Sequence, residues 1–238
     1  MGCFHGVFSQ NLVRANIYYH DKVKDMREYE IKVLNINKEQ IIKKLERLAA
    51  KRILNEKTEI EWYDFQGKDI SILKKAKFTK NVVREIYNFL KNNKGNSITK
   101  YGGYLRLRKQ DGYDFTFKYK KNTPLYNESI EPFIEFEENV SENNISAIRN
   151  ELLSLDFFVK AIHEKKRISY MLNNIRFEID TWPGIPTYLE IEAETPKAVQ
   201  SGIDLLRLNN HEKTQESGTA LFDRYNINFW SDLSFDKI

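Results

Sequence analysis

Cysteine occurs once in the 238 residues, as Cys3. A disulfide framework and a thiolate metal site are thereby excluded. No apolar run approaches the roughly 20 residues of a membrane-spanning helix. Asn11, Arg14, Asn16 and His20 interrupt any hydrophobic stretch that would make the N-terminus a signal peptide. Met1-Gly2-Cys3 suggests lipidation, but Gly6 stands where the myristoylation pattern wants Ser or Thr. Histidine is scarce: His5, His20, His163 and His211 show no ligand spacing and read as surface or turn residues. There is no Gly-x4-Gly-Lys-Ser/Thr phosphate loop, no GxGxxG after a strand and no nucleophile elbow. Internal repeats and low-complexity tracts are also lacking. The expectation is a cytoplasmic protein without a membrane partner.

Charge is what the chain has in quantity. Asp, Glu, Lys and Arg make up 30% of the residues, nearly balanced in sign at a net +4, against 41% hydrophobic and 13% aromatic residues. Such a chain folds and buries a core, and the mild basic excess alone does not point to nucleic acid. Tyr and Phe alternate out of phase with Lys and Arg in the strands, whereas a nucleic-acid face would mix them on one side.

Residues 1–25 show no sustained period, and Met26 stands directly before a strictly alternating stretch, Arg27 to Val33. Residues 1–25 are therefore expected to be an extension, a leader or an over-called start, with 26–238 a single domain. Asn37 and Gln40 form a capping box opening a helix with Ile41, Ile42, Leu45 and Leu48 on one face. A short strand, Glu59 to Phe65, precedes a helix from Thr79 to Lys94, which Gly95 is expected to end. Strands Tyr104 to Lys109 and Tyr113 to Lys121 flank Gln110-Asp111-Gly112, a hairpin signal. Ile134 to Val140 is a strand and Ser141 to Leu153 an amphipathic helix. Strands Ala161 to Leu172 and Ile175 to Thr181 turn at Asn173-Asn174, and Thr187 to Glu194 is the last clear strand. Thr195-Pro196 opens a helix through Leu206. A short helix, Gly218 to Arg224, precedes a polar, aromatic tail of undefined structure.

Aligned by phase, the strands repeat one pattern. Glu28, Glu30 and Lys32 oppose Tyr29, Ile31 and Val33; Arg106 and Arg108 oppose leucines; Lys118 and Lys120 oppose Phe115, Phe117 and Tyr119. Glu135 and Glu137, Glu178 and Asp180, and Glu190, Glu192 and Glu194 continue it. An open antiparallel sheet with one solvated face would also alternate. These faces, however, are almost purely ionisable, with acids and bases sorted by strand, and like charges directly opposite cost a sheet up to about 1 kcal/mol per pair. The alternative is a barrel with an apolar exterior under helices and a charged lumen, which also removes the sheet edges. Side chains two apart on a strand lie roughly 7 Å from each other on one face, so Glu28 with Glu30, or Glu190 with Glu192, would address one or two cations. All-oxygen donors favour Mg²⁺ or Mn²⁺ over zinc.

Glu28-x-Glu30-x-Lys32, Leu105-Arg106-Leu107-Arg108, Phe117-Lys118, Glu135-Phe136-Glu137, Lys165-Lys166-Arg167, Phe177-Glu178-Ile179-Asp180 and Leu189-Glu190-Ile191-Glu192 together resemble the CYTH superfamily of triphosphate tunnel metalloenzymes. The run from Glu178 to Glu192 looks most like the branch labelled class IV adenylyl cyclase-like. The resemblance spans roughly Met26 to Leu208; residues 1–25 have no family counterpart, and the helix Thr79 to Lys94 looks inserted. It implies an α+β fold in which an eight-stranded antiparallel β-barrel, a tunnel with a charged lumen and helices packed outside, binds a triphosphate and Mg²⁺ or Mn²⁺. By position, Glu28, Glu30, Asp180, Glu190 and Glu192 resemble metal ligands, with Glu28, Glu30 and Glu192 in the catalytic set. Lys32, Arg106, Arg108, Lys118, Lys165 and Arg167 resemble the triphosphate clamp; Glu135, Glu137 and Glu178 are inward without assigned roles.

The resemblance implies more than one activity: hydrolysis of tripolyphosphate, thiamine triphosphate or a nucleoside triphosphate, or cyclisation of ATP to cyclic AMP and pyrophosphate. Residues that hold a triphosphate serve both. Hydrolysis is the expectation, because the sequence shows no nucleoside pocket; adenylyl cyclase is the alternative. A non-enzymatic polyphosphate- or nucleotide-binding module is third. Oligomeric state has no signature in the sequence.

Overall fold

The structure, a computed structural model, describes residues 26–110, 112–120 and 133–237. Residues 1–25, Asp111, Lys121 and the side chain of Glu28 lie outside that set. The described elements are β1 (Met26–Val33), α1 (Lys38–Arg47), β2 (Lys51–Phe65), α2 (Lys80–Asn93), β3 (Gly103–Lys109), β4 (Tyr113–Lys120), β5 (Phe133–Val140), α3 (Ile145–Ser154), β6 (Phe157–Leu172), β7 (Ile175–Thr181), β8 (Tyr188–Ala193), α4 (Pro196–Leu205), β9 (Lys213–Thr214) and α5 (Gly218–Asp223). No helix among them is long and apolar enough to cross a membrane.

The strands form one antiparallel sheet in the order β5-β4-β3-β2-β6-β7-β8-β1-β9. β1 also pairs with β5, Met26 opposite Glu135 and Glu28 opposite Phe133, so the first eight strands curl into a ring. β9 adds two residues beside Lys32 and Val33.

Alternation decides what each strand buries. Leu105, Leu107, Phe115 and Phe117 point outward under α2 and α3, against Val82, Ile86, Ile148 and Leu152. On the other side Tyr29, Val33, Phe177 and Ile191 pack outward under α1 and α4, against Ile41, Leu45, Val199 and Ile203. The charged face of the same strands is left to the interior.

Helix ends follow local chemistry. Asn37 accepts the Gln40 N–H at 2.9 Å and Thr195 that of Ala198 at 3.1 Å. Thr79 makes no such cap; Glu151 of α3 reaches over to accept the N–H groups of Phe78 and Thr79, each at 3.1 Å. Gly95 does not supply the left-handed residue ending α2; Lys94 does, at φ 50°. Gly95 is required for another reason, since a Cβ there would collide with the Tyr101 ring. Asn173 and Asn174 both adopt positive φ, as a two-residue hairpin turn needs.

Two expectations need correction. β2 starts at Lys51 and β6 at Phe157, well before Glu59 and Ala161. The early half of β2 is largely exposed and pairs with β6 alone, so no apolar alternation announces it. His163 is not a surface residue. It is fully buried, and its Nδ1 accepts the Trp62 indole N–H at 2.9 Å while Nε2 lies 3.1 Å from the Ser231 carbonyl.

The aromatic tail also has a defined place. Phe222 of α5, Phe229 and Leu233 pack with Ile60, Trp62, Trp182 and Tyr188 across the end of the barrel where β1 and β7 finish and β8 begins. Leu233 is tied to β6 by backbone bonds, Glu164 N–H to Leu233 O at 2.8 Å and Leu233 N–H to Ile162 O at 3.0 Å.

Candidate functional site

The interior holds a cavity of about 380 Å³. β1 contributes Glu30 and Lys32, β3 Arg106 and Arg108, β4 Lys118 and β6 Lys165 and Arg167. β7 and β8 add Asp180, Glu190 and Glu192. Every site residue expected from the sequence thus lines one space, apart from Glu28, whose side chain lies outside the described residues. Glu135 and Glu137 line it too, whereas Glu194 falls beyond the end of β8 and is exposed.

Register explains the convergence. Glu30 lies opposite Glu192 and Lys32 opposite Glu190; Glu190 in turn faces Glu178, and Asp180 faces Arg167. Acid thus faces acid at two of these pairs and base at the other two, and lysines and arginines from neighbouring positions neutralise the acids. Lys32 Nζ reaches Glu30 at 2.9 Å and Glu190 at 3.3 Å; Lys118 Nζ reaches Glu30 at 2.6 Å and Glu135 at 3.3 Å. Arg167 contacts Glu178 and Glu190 as well as Asp180, and Lys165 Nζ lies 3.1 Å from Asp180.

Burial sharpens these charges. Glu30 is 4% exposed; burial resists its ionisation, but Lys118 and Lys32 outweigh that and hold its carboxyl well below the usual range. Lys32 is likewise raised, its burial overcome by Glu30 and Glu190. Lys165 behaves oppositely: burial and the neighbouring Arg167 lower it to about 8 despite Asp180. On β5 the two acids diverge. Glu135 is lowered, Lys118 and Arg106 overcoming its burial, while burial and the nearby Asp114 raise Glu137.

Carboxylate oxygens of Glu178, Glu190 and Glu192 lie within 4.8 Å of one another. An all-carboxylate donor set fits a hard divalent cation. Glu178 is the member whose inward position the sequence marked without a role; Asp180 instead faces Arg167 and Lys165, and Glu30 the two lysines.

Arg106 stands apart among the cations of the cavity. Its Nε has no hydrogen-bond partner, and its nearest carboxylates, Glu135 and Asp114, are 3.5 and 3.8 Å away. Arg167, assigned to the same clamp by sequence, is by contrast fully engaged by three acids.

One wall of the cavity is aromatic. Trp62 lies opposite Arg106 and Ile60 opposite Arg108 on the lumen face of β2, and Tyr104, Trp182 and Tyr188 continue that surface. The acid of β2 at Glu61 points the other way, where it meets Arg149 of α3. The sequence did not point to this wall.

A family model for the CYTH domain matches residues 63–220. The chain belongs to this family. The match begins inside β2, so it omits β1 with Glu28-x-Glu30-x-Lys32, which the ring nevertheless inserts between β8 and β5. Comparison with curated proteins gives no match. Among solved structures, the CYTH chain is similar to the PH1012 protein of Pyrococcus horikoshii OT3, at 23% identity and TM-score 0.52, over 78% of this chain and 94% of that one. A candidate adenylate cyclase from Vibrio parahaemolyticus aligns at 12% identity and TM-score 0.56, over 84% and 99%. A candidate adenylyl cyclase from Hippeastrum, described as having a dominant triphosphatase activity, aligns at 16% and 0.51, over 84% and 96%. At these identities the likeness establishes the shared fold.

Proposed function

We propose that this CYTH protein is a divalent-metal-dependent hydrolase of a triphosphate, inorganic or organic. The observation that carries the reading is Arg106: its Nε is buried without a hydrogen bond, in the lumen that Glu190 and Glu192 of the carboxylate cluster also line. A buried cation left without donors engaged is costly unless a ligand takes them up, and a phosphate oxygen is the matched acceptor for a guanidinium fork.

In this reading Arg106, Arg108, Lys118, Lys32 and Lys165 bind and orient the phosphoryl groups, and Arg167, held by three acids, adds positive charge to the same lumen. Glu190 and Glu192, with Glu178 and with Glu30 and Asp180 near them, would hold Mg²⁺ or Mn²⁺, and Glu28 resembles a further ligand by its place in the sequence. Such a cation, when bound, neutralises phosphoryl charge. Glu30, kept ionised by its two lysines, is suited to act as a ligand and fixed charge rather than as a proton acceptor. Water then attacks the terminal phosphorus, the bond to the bridging oxygen breaks with its electron pair left on that oxygen, the proton of the water passes to the departing phosphate chain or to solvent, and orthophosphate is released. Positioning and electrostatic stabilisation supply most of the rate in such transfers.

The aromatic wall supports a second reading. Trp62 and Tyr104 beside Arg106 would seat a planar organic group, and if that group is a nucleoside whose ribose hydroxyl attacks the α-phosphorus, the products are a cyclic nucleotide and pyrophosphate. Purified protein with Mg²⁺ or Mn²⁺ and tripolyphosphate, thiamine triphosphate or ATP decides by its products. Phosphate release supports hydrolysis, cyclic AMP with pyrophosphate supports cyclisation, and tight binding without turnover would make the chain a binding module.

A further inference from the structure

Beside the two arginines of β3 sits an acid that the reading so far leaves without a task. Asp114, on β4, is 5% exposed and lies directly opposite Arg108. It accepts the Arg108 Nε–H at 2.7 Å through one oxygen, and its other oxygen accepts the Thr116 hydroxyl at 2.7 Å. That second oxygen also lies 3.8 Å from the Arg106 Nε.

The edge by which Asp114 meets the arginines is the informative part. A guanidinium has five N–H donors, one on Nε and four on the terminal nitrogens. A carboxylate serving only to balance charge has its strongest geometry as a bidentate partner, which uses up terminal donors, as Asp180 does with Arg167. Asp114 faces the Nε atoms alone. The terminal nitrogens are left with distant acids, Glu135 at 3.5 Å from Arg106 and Glu137 at 3.7 Å from Arg108. Thr116, opposite Arg106, fixes the carboxylate from its own strand.

We infer that Asp114 is a positioning residue for anion recognition: it anchors Arg108 by its Nε–H so that the fork presents terminal donors to the lumen, and its other oxygen supplies a fixed counter-charge beside Arg106. The inference rests on the triphosphate reading of that lumen. It has an unusual sign, because Asp114 is an acid that improves anion binding. Coulomb's law alone gives the reverse, since removing a buried negative charge beside two arginines strengthens their pull on an anion.

Titration of the full chain with inorganic tripolyphosphate, with and without Mg²⁺, separates the possibilities. Asp114→Asn keeps the volume and removes the charge. It should bind tripolyphosphate about 10- to 100-fold more weakly, the range seen when a group orienting a ligand-binding residue is lost, and raise KM while kcat stays within about threefold. Unchanged or tighter binding in a folded Asp114→Asn protein overturns the role. If that variant does not fold, Arg108→Lys is measured instead: it keeps the charge but offers Asp114 no Nε edge, and binding equal to the wild type would overturn the role equally. Absence of tripolyphosphate binding by the wild type would reject the lumen reading itself, a result distinguishable from either variant's.

Discussion

Arg167 grips Asp180 with two nitrogens, Nε at 2.6 Å and Nη2 at 2.5 Å, and the same Nη2 reaches Glu190 at 2.8 Å. With Glu178 against its third nitrogen, one buried cation holds three acids drawn from two strands. The metal set and the phosphate clamp expected from the sequence are thus partners in a single ion-pair lattice.

Arg167→Met leaves those acids buried without their main counter-charge, and loss of one partner from such a cluster costs about 3–5 kcal/mol. The melting temperature should fall accordingly. Millimolar Mg²⁺ should then raise the melting temperature of the variant more than that of the wild type, because a bound cation replaces the missing charge. Equal effects of Mg²⁺ on the two proteins would remove these carboxylates from cation binding.

Glu192→Gln should cut metal-dependent turnover by about 100-fold or more, comparable to removing one preorganised electrostatic group. Glu30→Gln should lose activity similarly and also lose stability, since Lys32 and Lys118 both rely on Glu30. Full activity in both variants would place the chemistry outside the lumen.

His163 sets a pH dependence of stability. Burial lowers it to about 4 from the usual 6.5, against the opposing pull of the Ser231 and Phe229 carbonyls and Asp232. The unfolded chain takes up this proton at higher pH than the folded one, so the contribution is complete above pH 6.5 and is lost as pH falls toward 4. About 3 kcal/mol is at stake over that window. Denaturant melts between pH 4 and 7 on the wild type and His163→Gln test this; an equally steep decline in the variant would assign the dependence to other groups.

Phe229→Ala should destabilise the fold by about 3–5 kcal/mol, the usual cost of emptying a buried phenylalanine site. The ring packs against Trp62 at 5.3 Å, His163 at 4.8 Å and Phe222 at 5.3 Å between centroids. A loss below about 1 kcal/mol would show that the C-terminal segment is not part of the cooperative core.

Much of the lumen was readable in the strands because a period of two leaves only two faces. Once Leu105, Leu107, Phe115 and Phe117 are assigned to the exterior, Arg106, Arg108 and Lys118 have nowhere to go but inward. Asp114 and Thr116 share the phase of Lys118 and were open to the same reading. Trp62 and Ile60 were not, since an apolar inward face on β2 next to an acid pointing outward reverses the rule obeyed by the other strands. The tail gave no sign at all, because its apolar residues follow neither helical nor strand period.

By itself, the sequence determined the alternation, the helix caps and the set of charges facing one space, all of which depend on residues near in the chain. Tertiary structure alone decided which acid neutralises which base, why the Arg106 Nε lacks a partner while every nitrogen of Arg167 meets an acid, and where the tail lies. Those outcomes depend on strand register and on distances of a few ångströms between residues far apart in the chain, which no local pattern encodes.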